Sequence, residues 1–143
     1  MKTKCIYLVV SLLAGFVLSA SAWDMSAKPS RTITYKKICD LELKLHVFDP
    51  PDGTKKPMSA IVFFFGGGWT AGEPAQFYHQ ANYLARHGFL AISADYRTMS
   101  NGKATPAECV KDCKSAIRYV RKHSKDLGVD PDRIAAGGMS AGG

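Results

Sequence analysis

A chain of 143 residues is long enough for one ordinary domain, and 46% apolar residues suit a packed core rather than a disordered segment. The formal net charge is +7, but the basic residues beyond the N-terminus cluster mainly around 111–125, on a stretch whose other face is apolar. A solvated helix face explains that pattern better than a nucleic-acid surface does.

At the N-terminus, Met1-Lys2-Thr3-Lys4 is a basic region, Ile6 to Leu18 is apolar, and Ala20-Ser21-Ala22 has the A-x-A form of a cleavage site. This predicts a secretory signal peptide over residues 1–22, cleaved after Ala22, and a secreted or periplasmic protein. The apolar run is short for a bilayer span, and Phe16 stands where a lipoprotein signal needs cysteine. No stable membrane anchor is therefore expected. Cleavage removes Lys2 and Lys4, two positive charges, and leaves +5.

Trp23 to Arg31 reads as a loose polar arm. A short strand is expected over Ile33–Ile38, and a half-buried strand over Leu41–Val47, where Leu41, Leu43, Leu45 and Val47 alternate with Glu42, Lys44 and His46. Asp49-Pro50-Pro51-Asp52-Gly53 is a turn. Ala60 to Phe65 is continuously apolar, as in a parallel strand covered on both faces. The glycine-rich loop Gly66–Gly72 follows, then a helix over Pro74–His87 with Phe77, Ala81 and Leu84 on one stripe and Gly88 as terminator. Phe89–Ala94 is a second apolar strand. After a polar loop, Thr105-Pro106-Ala107-Glu108 forms a capping box with proline at the first helical position. The helix it opens carries Cys109, Cys113, Ala116, Ile117 and Val120 at helical spacing and is expected to run to Gly128. Cys109 and Cys113, one turn apart, read as small buried hydrophobes rather than as a disulfide or a metal site. Asp130-Pro131-Asp132 turns the chain into a last short strand. Two leading strands followed by β-α-β-α-β describe one α/β domain.

That last strand runs into Gly138-Met139-Ser140-Ala141-Gly142-Gly143, which contains G-x-S-x-G. A serine on a sharp strand-to-helix turn has its hydroxyl forced into the open, and the flanking glycines relieve collisions there. This is the form of a nucleophile elbow. A second glycine run at the end of an earlier strand strengthens the reading, because attack on an ester carbonyl builds negative charge that fixed backbone N–H donors can hold.

From about Tyr35 to its end the chain resembles the α/β-hydrolase family, in its hormone-sensitive-lipase-like and bacterial feruloyl/acetyl-esterase-like branches. The resemblance rests on Phe65-Gly66-Gly67-Gly68-Trp69, on Gly128 to Ile134, and on the Ser140 elbow. It implies the N-terminal part of an α/β-hydrolase fold over residues 23–143, with leading antiparallel strands and then a parallel β-α-β-α-β sheet, cut just after the elbow. It implies Ser140 as catalytic nucleophile, an oxyanion hole made by the amides of Gly67, Gly68 and Ala141, and Trp69 beside the acyl or alcohol pocket. Packing under the loop is the other place for Trp69. The family usually has histidine where Phe65 stands, which leaves the anchoring of the loop open. Asp95-Tyr96-Arg97 matches a family pattern read as an Arg–carboxylate tie below the site. Asp112 reads as a helix-surface or ion-pair residue.

The acid and base that should partner Ser140 follow the serine in this fold, whereas His46, His79, His87 and His123 all precede it. His46 reads as strand surface, His87 and His123 as helix C-terminal residues. His79 alone is near the glycine loop. The implied reaction is carboxylic ester hydrolysis through an acyl-enzyme on Ser140, without cofactor or metal. The substrate would be a small-molecule or polysaccharide-linked ester, acetyl or feruloyl esters of carbohydrates first. The 143 residues alone are expected to be inactive and poorly soluble. Three other readings stand beside this one: a peptidase or amidase of the same fold, a non-catalytic binding module, and a dinucleotide-binding domain suggested by Gly66-x-Gly68-x-x-Ala71 and Asp95. Oligomeric state is not legible.

Overall fold

Among the described residues five strands build one mixed sheet: β1 (Arg31–Ile38), β2 (Leu41–Phe48), β3 (Met58–Phe64), β4 (Leu90–Ala94) and β5 (Val129–Gly138), in the spatial order β1-β2-β4-β3-β5. A computed structural model of the protein describes residues 27–143, so the expected signal sequence and its cleavage site lie outside the described residues. β1 pairs antiparallel with β2, and β2 antiparallel with β4. β3 lies parallel between β4 and β5. The leading antiparallel strands and the following parallel sheet are thus as expected.

Helices cover both faces, and strand alternation decides which residues meet which helix. Ala60, Val62, Phe64, Leu90, Ile92 and Ala94 point to one face, where they pack with Cys109, Ala116 and Val120 of α3 (Pro106–Lys122). Phe63 and Ala91 point the other way, to Phe77 and to Ala81 and Ala85 of α1 (Tyr78–Arg86). Burying one such phenylalanine or leucine is worth about 1.5–3 kcal/mol, so two fully covered strands anchor the domain. The exposed side of α3 carries Lys111, Lys114, Arg118, Arg121 and Lys122, the solvated basic face expected from their spacing.

Several boundaries differ from the expectations. β1 starts at Arg31 because its guanidinium pairs with Asp49 at 2.9 and 3.0 Å, and the Ser30 N–H donates to Val47 O at 2.7 Å. The end of the arm is therefore tied down rather than loose. The expected helix over Pro74–His87 is divided: Pro74–Phe77 forms a 3₁₀ turn and α1 begins at Tyr78. Two contacts hold the turn in place, Ser93 Oγ donating to Pro74 O at 2.7 Å and Phe77 stacked on Phe63 at 4.8 Å. The expected helix to Gly128 breaks at His123, and a short turn α4 (Ser124–Leu127) carries Leu127 into the core. The polar loop after Arg97 contains a further helical turn, α2 (Met99–Gly102), opened by Thr98 N–H donating to Asn101 Oδ1 at 2.6 Å. β5 begins at Val129, but its pairing jumps from Met58↔Val129 to Ala60↔Ile134, so Asp130–Arg133 bulge out of the ladder as the expected turn. β5 lies at the sheet edge, with Ala135 and Ala136 exposed.

Candidate active site

Parallel pairing sets Phe64 of β3 opposite Gly138 of β5, so the two strands end side by side on one rim of the sheet. Chain leaving such a rim is where α/β folds gather their functional groups. The Met139 N–H still reaches Phe64 O at 3.4 Å. Met139 is extended (φ −127°, ψ 136°), and then the backbone reverses: Ser140 has φ +53° and is exposed. The left-handed region costs a residue with a Cβ about 1–2 kcal/mol, and such strain gathers at functional sites. Glycine on either side is a packing requirement. A Cβ on Gly138 would strike the Gly142 carbonyl, and one on Gly142 would strike the carbonyl of Phe64.

The glycine loop leaves β3 directly against this turn. A Cβ on buried Gly66 would stand 2.9 Å from Met139 O and 3.3 Å from the Ser140 Cβ, so the elbow leaves no room for a side chain at this point of the loop. Gly67 takes φ +144°, and a Cβ there would run into Ala71 O. Its carbonyl accepts from Thr70 and Ala71 N–H at 3.0 and 3.2 Å, curling the loop so that Gly67 and Gly68 are exposed. Among the described residues no protein acceptor takes the Gly67 or Gly68 N–H. Trp69 also has positive φ, +59°, and is 39% exposed. The carbonyls of Trp69 and Thr70 each accept from α2, from Met99 and Ser100 N–H at 2.9 Å.

Two residues to which sequence reasoning gave no part in the loop hold it in place. Tyr96 stacks on Phe65 and donates its hydroxyl to the Phe65 carbonyl at 2.6 Å. Gln76, in the 3₁₀ turn, accepts from Gly66 N–H through Oε1 and donates to Gly66 O through Nε2, both at 3.1 Å. The usable signal for Tyr96 was its place at the end of an apolar strand. Gln76 carried none, since a polar residue near a helix start is commonplace.

Below the rim, Arg97 makes the expected tie, and its partner is Asp112 of α3. Arg97 Nε donates to Asp112 at 2.7 Å and its Nη2 at 3.2 Å, while Lys36 of β1 donates at 2.6 Å. Asp112 is completely buried, so it is an ion-pair residue and not a helix-surface one. Burial alone would push its carboxyl up; the hydrogen bonds from Arg97 and Lys36 outweigh this and hold it below the ordinary carboxylate value. Asp95 has a separate role: its carboxylate accepts from Lys44 N–H at 3.2 Å and lies 3.5 Å from His46 Nε2.

Three histidines are engaged away from the elbow. His46 is half-buried rather than at the strand surface, with Nδ1 2.6 Å from the Tyr78 hydroxyl. His87 bonds Tyr83 O at 2.7 Å, and His123 lies 3.6 Å from Asp126, both where helices end. His79 stands in the first turn of α1, half-buried. The dinucleotide reading fails on geometry, because a 3₁₀ turn separates the glycine loop from α1 and no long helix starts at the loop.

The family model BD-FAE matches residues 45–143, a span that includes the glycine loop and the Ser140 elbow. The chain belongs to the BD-FAE family. In solved structures this BD-FAE chain is similar to the thermophilic esterase Est2 of Thermogutta terrifontis, with propionate bound, at 48% identity and a TM-score of 0.77, over 83% of this chain and 43% of that one. The same esterase phosphorylated by paraoxon matches equally well, covering 45% of that chain. Curated relatives include the carboxylesterase NlhH of Mycobacterium tuberculosis, 32% identical over 79% of this chain and 34% of the relative. Another is the isoprenylcysteine alpha-carbonyl methylesterase ICME of Arabidopsis thaliana, 30% identical over 92% of this chain and 30% of the relative. The described architecture is thus part of an α/β-hydrolase fold, and the BD-FAE chain spans less than half the length of each of these proteins.

Proposed function

We propose that the protein is a serine esterase of which these residues supply the nucleophile and the oxyanion donors. The observation that carries this reading is the closeness of elbow and loop: Ser140 is exposed at φ +53°, and a Cβ added to Gly66 would stand 3.3 Å from its Cβ. On this reading Ser140 attacks the ester carbonyl and the amides of Gly67, Gly68 and Ala141 receive the charge that develops on its oxygen. One such donor lowers the barrier by about 3–4 kcal/mol. The alcohol leaves, and water resolves the acyl-enzyme. Trp69, exposed within the loop, lines the acyl or alcohol pocket. A histidine base and its orienting acid join from outside the 143 residues, which alone do not turn over ester.

The likeness to esterases supports ester chemistry, and the signal-peptide pattern supports export after cleavage at Ala22. Together they favour acetyl or feruloyl esters carried on carbohydrate. The full-length protein should hydrolyse a short acyl nitrophenyl ester and be phosphorylated by paraoxon on Ser140, located by peptide mass spectrometry. Ser140→Ala should abolish the labelling and cut kcat/KM at least about a thousandfold. Turnover retained in Ser140→Ala would remove that serine from its role. Comparison of acetylated xylan, a feruloyl ester and a peptide amide then decides the substrate class, and preference for the amide would overturn the carbohydrate-ester reading.

A further inference from the structure

We propose that Gln76 is a positioning residue for the oxyanion loop, acting through the peptide between Gly66 and Gly67; this rests on the esterase reading of Ser140. Gln76 meets both polar groups of one residue, with Oε1 receiving the Gly66 N–H and Nε2 donating to the Gly66 carbonyl, each at 3.1 Å. Only one amide orientation satisfies both bonds, since the N–H needs an acceptor and the carbonyl a donor. The Gly66 carbonyl and the Gly67 N–H belong to a single planar trans unit and point in opposite directions. Drawing the carbonyl toward Gln76 therefore turns the Gly67 N–H away from it, to the side where no described residue accepts it.

Gln76 can act as a reference because its own backbone is fixed to the sheet. Pro74 O receives Ser93 Oγ from β4, Phe77 stacks on Phe63 of β3, and Gln76 N–H closes the turn on Glu73 O at 3.3 Å. The loop needs such a clamp. Gly66 to Gly68 bring no side chain to hold their peptides, and the Phe65 side chain has no polar atom to offer. Gly66 in turn lies next to the elbow, where an added Cβ would stand 3.3 Å from the Ser140 Cβ, so a rotation of its peptide changes the relation between donors and nucleophile. Gln76 itself is exposed and takes no part in either apolar cluster, which makes its effect on the loop separable from folding.

The test uses the full-length protein, a short acyl nitrophenyl ester and paraoxon. Gln76→Ala should lower kcat about tenfold or more, leave KM within about twofold and leave the melting temperature nearly unchanged, since misplacement near 1 Å is enough to cost two orders of magnitude. Gln76→Glu keeps the acceptor for Gly66 N–H but sets a carboxylate against Gly66 O; protonating it restores the donor. The kcat of Gln76→Glu relative to parent should therefore rise as pH falls from about 7 toward 5. An active parent whose Gln76→Ala variant keeps kcat within about twofold, or whose Gln76→Glu ratio is flat with pH, overturns the proposal alone. A parent that neither hydrolyses ester nor is phosphorylated on Ser140 overturns the esterase reading, and the proposal falls with it.

Discussion

Tyr96 lies flat on Phe65, ring centroids 4.1 Å apart and planes 15° from parallel, and its hydroxyl donates to the Phe65 carbonyl at 2.6 Å. Both rings are about 1% exposed. The pair holds the last residue before the glycine loop by ring contact and by backbone, at a position where a histidine is usual in the resembled family.

Tyr96→Phe keeps the stack and strands the Phe65 carbonyl. In the full-length protein the expected cost is about 1–2 kcal/mol in urea unfolding, with kcat on a short ester down about threefold to tenfold as the loop loosens. Burial, with the neighbouring Cys113 and Cys109, pushes the Tyr96 hydroxyl up to about 12 from an ordinary 10.0. A group raised in this way stabilises fully below its unfolded value. Parent stability should accordingly fall as pH rises from 10 toward 12, and Tyr96→Phe should lose part of that slope. An identical alkaline slope in the variant would show that Tyr96 does not ionise on unfolding in that range.

Asp112 carries a prediction at the other end of the pH scale. It is the meeting point of β1 through Lys36, of the chain after β4 through Arg97, and of α3. Removing one partner of a buried pair costs about 3–5 kcal/mol, and Asp112→Ala should fall near the low end because Arg97 and Lys36 keep some access to water. The folded carboxyl titrates below its ordinary 3.8, so its stabilisation is present above that pH and is lost as pH falls through the folded value. Acid unfolding followed by circular dichroism should show a shallower pH dependence below about 4 in Asp112→Asn than in the parent.

Where hydrophobic periodicity or a capping signal existed, the sequence was a good guide. The unbroken run Ala60–Phe65 belonged to a strand buried on both faces, the alternation at Leu43, Leu45 and Val47 to a half-buried one, and Thr105-Pro106-Ala107-Glu108 to the start of α3. The elbow was legible because G-x-S-x-G records a backbone collision, and the collision is there between Gly138 and Gly142. What stayed hidden depends on contacts distant in the chain. Gln76 reaches back ten residues to Gly66, Lys36 reaches seventy-six to Asp112, and Pro74 is held by Ser93. No local pattern encodes such pairs. α2 was hidden for another reason: four residues, Met99 to Gly102, are too few to show a period.

The elbow glycines predict an outcome that separates geometry from chemistry. Gly142→Ala forces a methyl against the Phe64 carbonyl, where backbone must yield. Overpacking of this kind costs about 1–3 kcal/mol, and a displaced Ser140 should lose about a hundredfold in paraoxon labelling rate. Ser140→Ala, by contrast, should lose labelling with the melting temperature nearly unchanged. Equal labelling of Gly142→Ala and parent would show that the turn tolerates relaxation without moving the serine.

The three described cysteines predict a single fast thiol. Cys39 sits exposed in the turn between β1 and β2, Cys109 is buried under the sheet, and Cys113 is half-buried beside Asp112. Burial, reinforced by the Asp112 and Cys109 charges, pushes the Cys113 thiol up to about 12. At pH 8 it would be ionised in about one molecule in ten thousand, against about a quarter for an ordinary thiol. Burial also raises the Cys109 thiol. Iodoacetamide at pH 8 should therefore modify Cys39 in the native protein and reach Cys109 and Cys113 only in denaturant, as read from tryptic peptide masses. Native labelling of Cys113 at a rate matching Cys39 would mean that α3 opens from the sheet, and with it the Asp112–Arg97 tie below the candidate active site.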